Sequence, residues 1–172
     1  MKKAFAFLLL IASAVFTVIA CEKDDICAEG TPTTPSAIVE FFYNDNRTVA
    51  KPAIFKYYVP GVDTALGGTS SVSKIELPLR TDAETTTWAL VLRTPIGNGN
   101  FIDNTDYLTF NYTNQQIYVS RACGYRNVFY LNQASPALFA DSPASDNLWI
   151  LGMDVETLTI ENENETHIKI YF

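Results

Sequence analysis

Beyond residue 20 the chain alternates apolar and polar side chains with a period of two, and no ten-residue stretch carries the spacing of an amphipathic helix. A period of two puts alternate side chains on opposite faces of a strand, so such a chain buries its apolar set between packed sheets. Near 37–43, Ala37, Val39, Phe41 and Tyr43 share one face, opposite Ile38, Glu40 and Phe42. Near 52–59, Ala53, Phe55, Tyr57 and Val59 repeat the pattern. Ile75, Leu77 and Leu79 point inward against Lys74, Glu76 and Arg80, and Pro78, which cannot donate to a ladder, marks an edge strand. Trp88, Leu90 and Leu92 follow, then Leu108, Phe110 and Tyr112, then Ile117 and Val119 leading to Cys123. Further strands are expected over 128–131, 148–155 and 158–160. The last turns Thr166, Ile168, Ile170 and Phe172 inward and His167, Lys169 and Tyr171 outward. Gly, Pro and Asn clusters predict loops over 61–73, 95–106 and 133–147, with a turn at Asn114-Gln115-Gln116. Eight or nine short strands at this spacing predict an all-β, two-sheet antiparallel β-sandwich, immunoglobulin-like or related.

The first twenty residues obey a different rule. Lys2 and Lys3 precede an uncharged run from Ala4 to Ile19, and small Ala20 stands before Cys21. The run falls short of the roughly 20 apolar residues of a membrane span and has the parts of a secretory leader. Val18-Ile19-Ala20-Cys21 further fits lipoprotein processing, in which the Cys21 thiolate takes a diacylglycerol and the freed amine is acylated, typically by palmitate. The expected organisation is a cleaved signal peptide over 1–20, a lipidated acidic tether over 21–26 and a single β-sandwich domain over 27–172. At about 0.8 kcal/mol per buried methylene, two or three acyl chains hold a protein on a bilayer almost irreversibly. Glu22, rather than Asp, follows the cysteine, which points to the outer membrane. Lys23-Asp24-Asp25 resembles a surface-export signal of lipoproteins from Bacteroidota, and is also what a solvated tether looks like.

Loss of Lys2 and Lys3 leaves ten basic against nineteen acidic residues, a formal charge of −9. So acidic a chain is a poor partner for nucleic acid, whose phosphates need Lys and Arg. With Cys21 lipidated, Cys27 and Cys123 have one possible pairing, and an exported protein meets an oxidising compartment. A reactive thiol is the alternative, because Arg121 and Arg126 flank Cys123. If the bridge forms, only residues 22–26 separate fold from lipid, a reach of about 18 Å at most. The domain then sits against the membrane.

Motifs for catalysis are sparse. His167 is the one histidine and reads as an outward side chain, leaving zinc and copper without a ligand set. A serine triad lacks its Gly-x-Ser-x-Gly elbow, and no glycine-rich phosphate loop precedes a helix. No cofactor is implied. Glu161, Glu163 and Glu165 read as an exposed hairpin turn, or as hard oxygen ligands for a weak calcium site. Asn98, Asn100, Asp103 and Asp106 offer an equally unspecific cluster. Asp63-Thr64-Ala65 fits a short O-glycosylation pattern with Thr64 as acceptor. The triplets starting at Asn46, Asn111 and Asn164 fit the N-glycan pattern by coincidence. Tyr107 and Tyr118 alternate opposite the core set, as a second buried face or as aromatic surface for a sugar or peptide.

Cys21-Glu-Lys-Asp-Asp-Ile-Cys27, Thr31-Pro-Thr-Thr-Pro35, Val119-Ser-Arg-Ala-Cys-Gly-Tyr125 and the closing stretch from Thr159 to Phe172 together resemble a family of small uncharacterised lipoproteins from Bacteroidota. The resemblance spans nearly the whole mature chain. It implies export and the two matching cysteines, and carries over no catalytic residue. The expectation is a non-enzymatic envelope component, anchored in the outer membrane and facing the cell surface, that binds an unknown protein or glycan or takes part in envelope assembly. The rivals are a carboxylate-based hydrolase of envelope glycans and a structural subunit of an outer-membrane complex.

Overall fold

The computed structural model describes residues 26–172, and none of these is helical. Eleven strands follow one another: β1 (Ala37–Phe42), β2 (Ala53–Tyr58), β3 (Ala65–Val72), β4 (Lys74–Leu77), β5 (Thr85–Gly97), β6 (Asn100–Ser120), β7 (Gly124–Leu131), β8 (Ala137–Ala140), β9 (Gly152–Val155), β10 (Thr159–Ile160) and β11 (Ile168–Tyr171). They form a four-stranded sheet in the order β4-β1-β11-β9 and a seven-stranded sheet in the order β10-β7-β6-β5-β2-β3, with β8 added on β6. The described chain divides into a larger compact unit, 34–116 with 127–172, and a smaller one, 26–33 with 117–126.

The larger unit is the expected all-β fold of two packed sheets. Ala37, Val39 and Phe41 from β1, and Ile168 and Ile170 from β11, meet Phe55, Trp88, Leu90, Leu108, Phe110 and Phe129 from the other sheet. The Phe41 and Phe55 rings stack with centroids 3.9 Å apart, and Phe172 meets both edge-on. Each such pair contributes about 0.5–1.5 kcal/mol beyond the area it buries. Tyr112, Thr86 and Trp88 find polar partners at the margin of the core. The Tyr112 hydroxyl donates to the Arg80 carbonyl at 2.7 Å and lies 2.6 Å from Thr86 Oγ1, while Trp88 Nε1 donates to the Pro78 carbonyl at 3.1 Å. β4, which Pro78 follows, is an edge strand as expected.

Several segments depart from the sequence reading. β1 and β11 pair in parallel, so the smaller sheet is mixed. Most of the expected 61–73 loop is β3, an edge strand of small residues, whose backbone ladders onto β2 without an apolar face to announce it. The expected 95–106 loop is mainly the paired arms of β5 and β6, and only the turn at Gly97, Asn98 and Gly99, all at positive φ, remains. Asn114-Gln115-Gln116 is no turn, because it lies inside the 21-residue β6. The 133–147 segment contains β8. Residues 148–151 are not strand: the amides of Trp149 and Ile150 donate to the Asp106 carboxylate. Glu161–Glu165 is not a hairpin turn either, since β10 pairs with β7 while β11 pairs with β1 and β9, so these residues cross between sheets.

His167 is the clearest correction. It is fully buried, not outward, because the outer face of the mixed sheet is itself covered around Ile38 and Tyr171. The Ile38 amide donates to His167 Nδ1 at 2.8 Å, and the His167 amide donates to the Ile38 carbonyl at 3.0 Å. One residue thus closes both hydrogen-bonding groups of Ile38 where β1 and β11 begin to run side by side.

Candidate functional site

The smaller unit is held by a disulfide between Cys27 and Cys123, residues 96 apart in sequence with Cα atoms 4.8 Å apart. Each cysteine sits beside a tight turn. Around Cys27, the Thr31 amide and hydroxyl both donate to the Ala28 carbonyl, at 3.2 and 2.6 Å, and Gly30 supplies the positive φ that the turn needs. Around Cys123, its own amide donates to Ser120 Oγ at 3.0 Å, and Gly124 takes a φ of 69°. A cleft of about 530 Å³ is lined by Ile26, Ala28, Tyr118, Arg121 and Cys123 among others. The Tyr118 and Tyr125 rings meet edge to face at 5.3 Å. Tyr118 is therefore aromatic surface and not a second buried face. Both sulfurs are bonded to one another, no carboxylate lines the cleft, and the reactive-thiol alternative for Cys123 fails in the bridged state.

Two titratable side chains in the larger unit are fully buried, Asp106 and His167. Asp106 stands in an inward row with Tyr57 and Leu90 across β2, β5 and β6. Its Oδ2 accepts from the amides of Trp149 at 2.9 Å and Ile150 at 2.7 Å, and its Oδ1 has no partner among the described residues. Burial pushes the carboxyl up to about 6, against the pull of those two amides, and Asp141 and Asp146 push the same way. Trp149 is thereby held with its ring against Phe55 and Phe172, and its Nε1 donates to the Leu90 carbonyl at 3.1 Å. For His167, burial lowers the imidazole pKa, Glu165 and Glu163 oppose that shift, and Lys74 adds to it. Nδ1 accepts, which leaves the proton on Nε2. Neither side chain lines one of the described clefts.

The remaining candidates are not brought together. Asp103 is taken by Arg93 at 2.9 Å, Asn98 and Asn100 are exposed, and Asp106 is in the core, so the expected oxygen cluster does not form. Glu163 accepts from the Ser36 amide at 2.7 Å and Glu165 from Asn162 at 2.9 Å, on an exposed stretch that also holds Glu161. Among the described residues no three His, Cys, Asp or Glu side chains are grouped to hold a metal. Thr64 is exposed just before β3. Asn46 and Asn164 are exposed, while the Asn111 amide is tied to the Ser135 carbonyl. Tyr107 is half-buried and hydrogen-bonded to Tyr58. Clefts of about 400 and 470 Å³ in the larger unit contain one carboxylate, Glu84, between them. Cys21, the leader and most of the tether lie outside the described residues.

Asp106 is the side chain whose importance sequence reasoning underrated, although a signal was present: it shares the parity of Leu108, Phe110 and Tyr112. Residues 53–172 match the model of a family described as a family of unknown function, DUF6452. No curated protein and no solved structure matches the chain.

Proposed function

The chain belongs to the DUF6452 family, and on that premise we propose that it is a lipid-anchored lipoprotein of the cell envelope, a non-enzymatic component that binds a protein or glycan partner or serves envelope assembly. The reading rests on cysteine accounting. Cys27 and Cys123 are joined, and Cys21, closing Val18-Ile19-Ala20-Cys21, is left as the one position with a lipid-acceptor sequence. A disulfide suits an exported protein, and the five residues between Cys21 and Cys27 hold the smaller unit within about 18 Å of the anchor. The Glu22-Lys23-Asp24-Asp25 run supports an outer-membrane address facing the cell surface, and exposed Thr64 is available to O-glycosylation there. The hydrolase alternative gains nothing from the geometry, since no described cleft pairs two carboxylates.

Intact mass spectrometry of the mature chain from its native membranes is the test. The expected species begins at residue 21 with two or three acyl chains, and a chain produced without the leader and carrying Cys21→Ser stays in plain buffer. An unmodified residue 21, or a wild-type chain that washes free, overturns the reading. Protease treatment of intact cells decides the surface orientation, and co-purification in mild detergent separates a free-standing binder from a subunit of a larger complex.

A further inference from the structure

We propose that the disulfide-stapled unit is itself a lipid-contacting surface, in which Ile26, Tyr118 and Tyr125 enter the headgroup region of the bilayer that carries the anchor. The inference rests on the reading of Cys21 as lipid-bearing and says what the fold does once it is there. Ile26, Tyr118 and Tyr125 are 78%, 56% and 62% exposed, three large side chains within one small unit. Tyrosine, with an apolar ring and a polar tip, is the residue type that settles at the membrane–water interface. The two rings brace each other at 5.3 Å, so they can be presented to lipid with little further loss of freedom.

Tether length and charge single out lipid as the occupant. Ile26 adjoins the stapled Cys27, and five residues separate that staple from Cys21, so the unit cannot move more than about 18 Å from the acyl chains. With the tether from Glu22, the smaller unit carries Lys23, Arg121 and Arg126 against Glu22, Asp24, Asp25 and Glu29, a formal charge of −1, whereas the larger unit carries seven basic and fifteen acidic residues, a charge of −8. An anionic leaflet repels the second far more strongly than the first. The unit nearest the anchor in sequence is thus the one that an anionic surface repels least.

The experiment uses the full mature chain, lipidated at Cys21, in vesicles of phosphatidylethanolamine and phosphatidylglycerol, with the single change Tyr118→Trp. Both native tryptophans are buried, so the new indole dominates quenching by aqueous iodide. Expected is quenching of Trp emission by lipids brominated in the upper acyl chain, and an iodide quenching constant about threefold below that of the unlipidated Cys21→Ser chain carrying the same Trp. A lipidated chain whose indole stays fully open to iodide and blind to brominated lipid overturns the proposal. So does an indole shielded from iodide in native membranes but not in vesicles, which assigns the surface to a protein partner. Mass spectrometry of the same sample reads the anchor independently. An unacylated chain therefore marks failure of the underlying reading, and an acylated chain with a solvent-exposed indole marks failure of this one.

Discussion

Asp106 and His167 are the residues on which the fold's response to acid turns, and they pull in opposite directions. The folded chain holds the Asp106 proton up to about pH 6, whereas the unfolded chain releases it near the ordinary carboxylate value of 3.8. The folded form therefore binds the extra proton between those values, and stability falls as pH rises through that window. Asp106→Asn keeps an acceptor for the Trp149 and Ile150 amides and cannot ionise. Its stability relative to wild type should improve by roughly 2–3 kcal/mol between pH 4 and pH 7, read from urea midpoints at the two pH values. His167 has the opposite sign. Its pKa is lowered on folding, so the unfolded chain takes up a proton as pH falls through 6.5 while the folded chain takes one up only at lower pH, and stability drops as pH falls below 6.5. His167→Asn, which offers an oxygen near the position of Nδ1, should lose less stability than wild type between pH 7.5 and 5.5. His167→Ala orphans the buried Ile38 amide and should cost roughly 2–4 kcal/mol at neutral pH by denaturant titration. Asp106 was legible as an inward residue from the alternation it shares with Leu108 and Phe110. His167 was not, because no property of β11 alone reveals that its outer face is covered.

At the scale of the element, the strands most poorly legible are those held by their ladders and not by an apolar stripe. β3 is the extreme case: among the residues of Ala-Leu-Gly-Gly-Thr-Ser-Ser-Val only one is buried, and it is a glycine. Its pairing with β2 shifts register between Ile54 and Lys56, opposite Gly67 and Gly68, both at positive φ. That bulge requires glycine at Gly67 in particular, because a Cβ there would drive into the Phe55 carbonyl oxygen and close on the Tyr57 ring at 3.1 Å. Gly67→Ala should cost roughly 2–4 kcal/mol in a thermal or urea melt. Gly30→Ala, which meets no atom and carries only the φ penalty, should cost about 1 kcal/mol and is the control. The long β6 makes the complementary point. Asn114-Gln115-Gln116 has the composition of a turn, yet Asn114 donates to the Thr81 carbonyl and Gln115 accepts from the Tyr130 hydroxyl, so tertiary partners hold the run extended.

At the scale of the whole molecule, every member of the buried apolar cluster lies between Ala37 and Phe172, and none lies in the smaller unit. Reduction of Cys27–Cys123 should therefore leave the two-sheet core folded, with the near-ultraviolet signal of buried Trp88 and Trp149 retained. The melting temperature should fall by an amount equivalent to at most about 4–5 kcal/mol, the loop-closure contribution for a loop of this length. Loss of that signal on reduction would show instead that the staple is a condition of folding. The amino-acid sequence alone established that this chain makes strands, that Phe41, Phe55, Phe110 and Trp88 lie between two sheets, that Pro78 follows an edge strand, and, with Cys21 read as the lipid acceptor, that Cys27 and Cys123 can pair. Those features depend on neighbours a few residues apart, or on arithmetic over three cysteines. Only the tertiary structure decided the parallel pairing of β1 with β11, the crossing of Glu161–Glu165 between sheets, the burial of His167 and the capture of the Trp149 and Ile150 amides by Asp106. Each of these is a contact between segments dozens of residues apart, which period-two patterning cannot distinguish because every strand presents the same two faces.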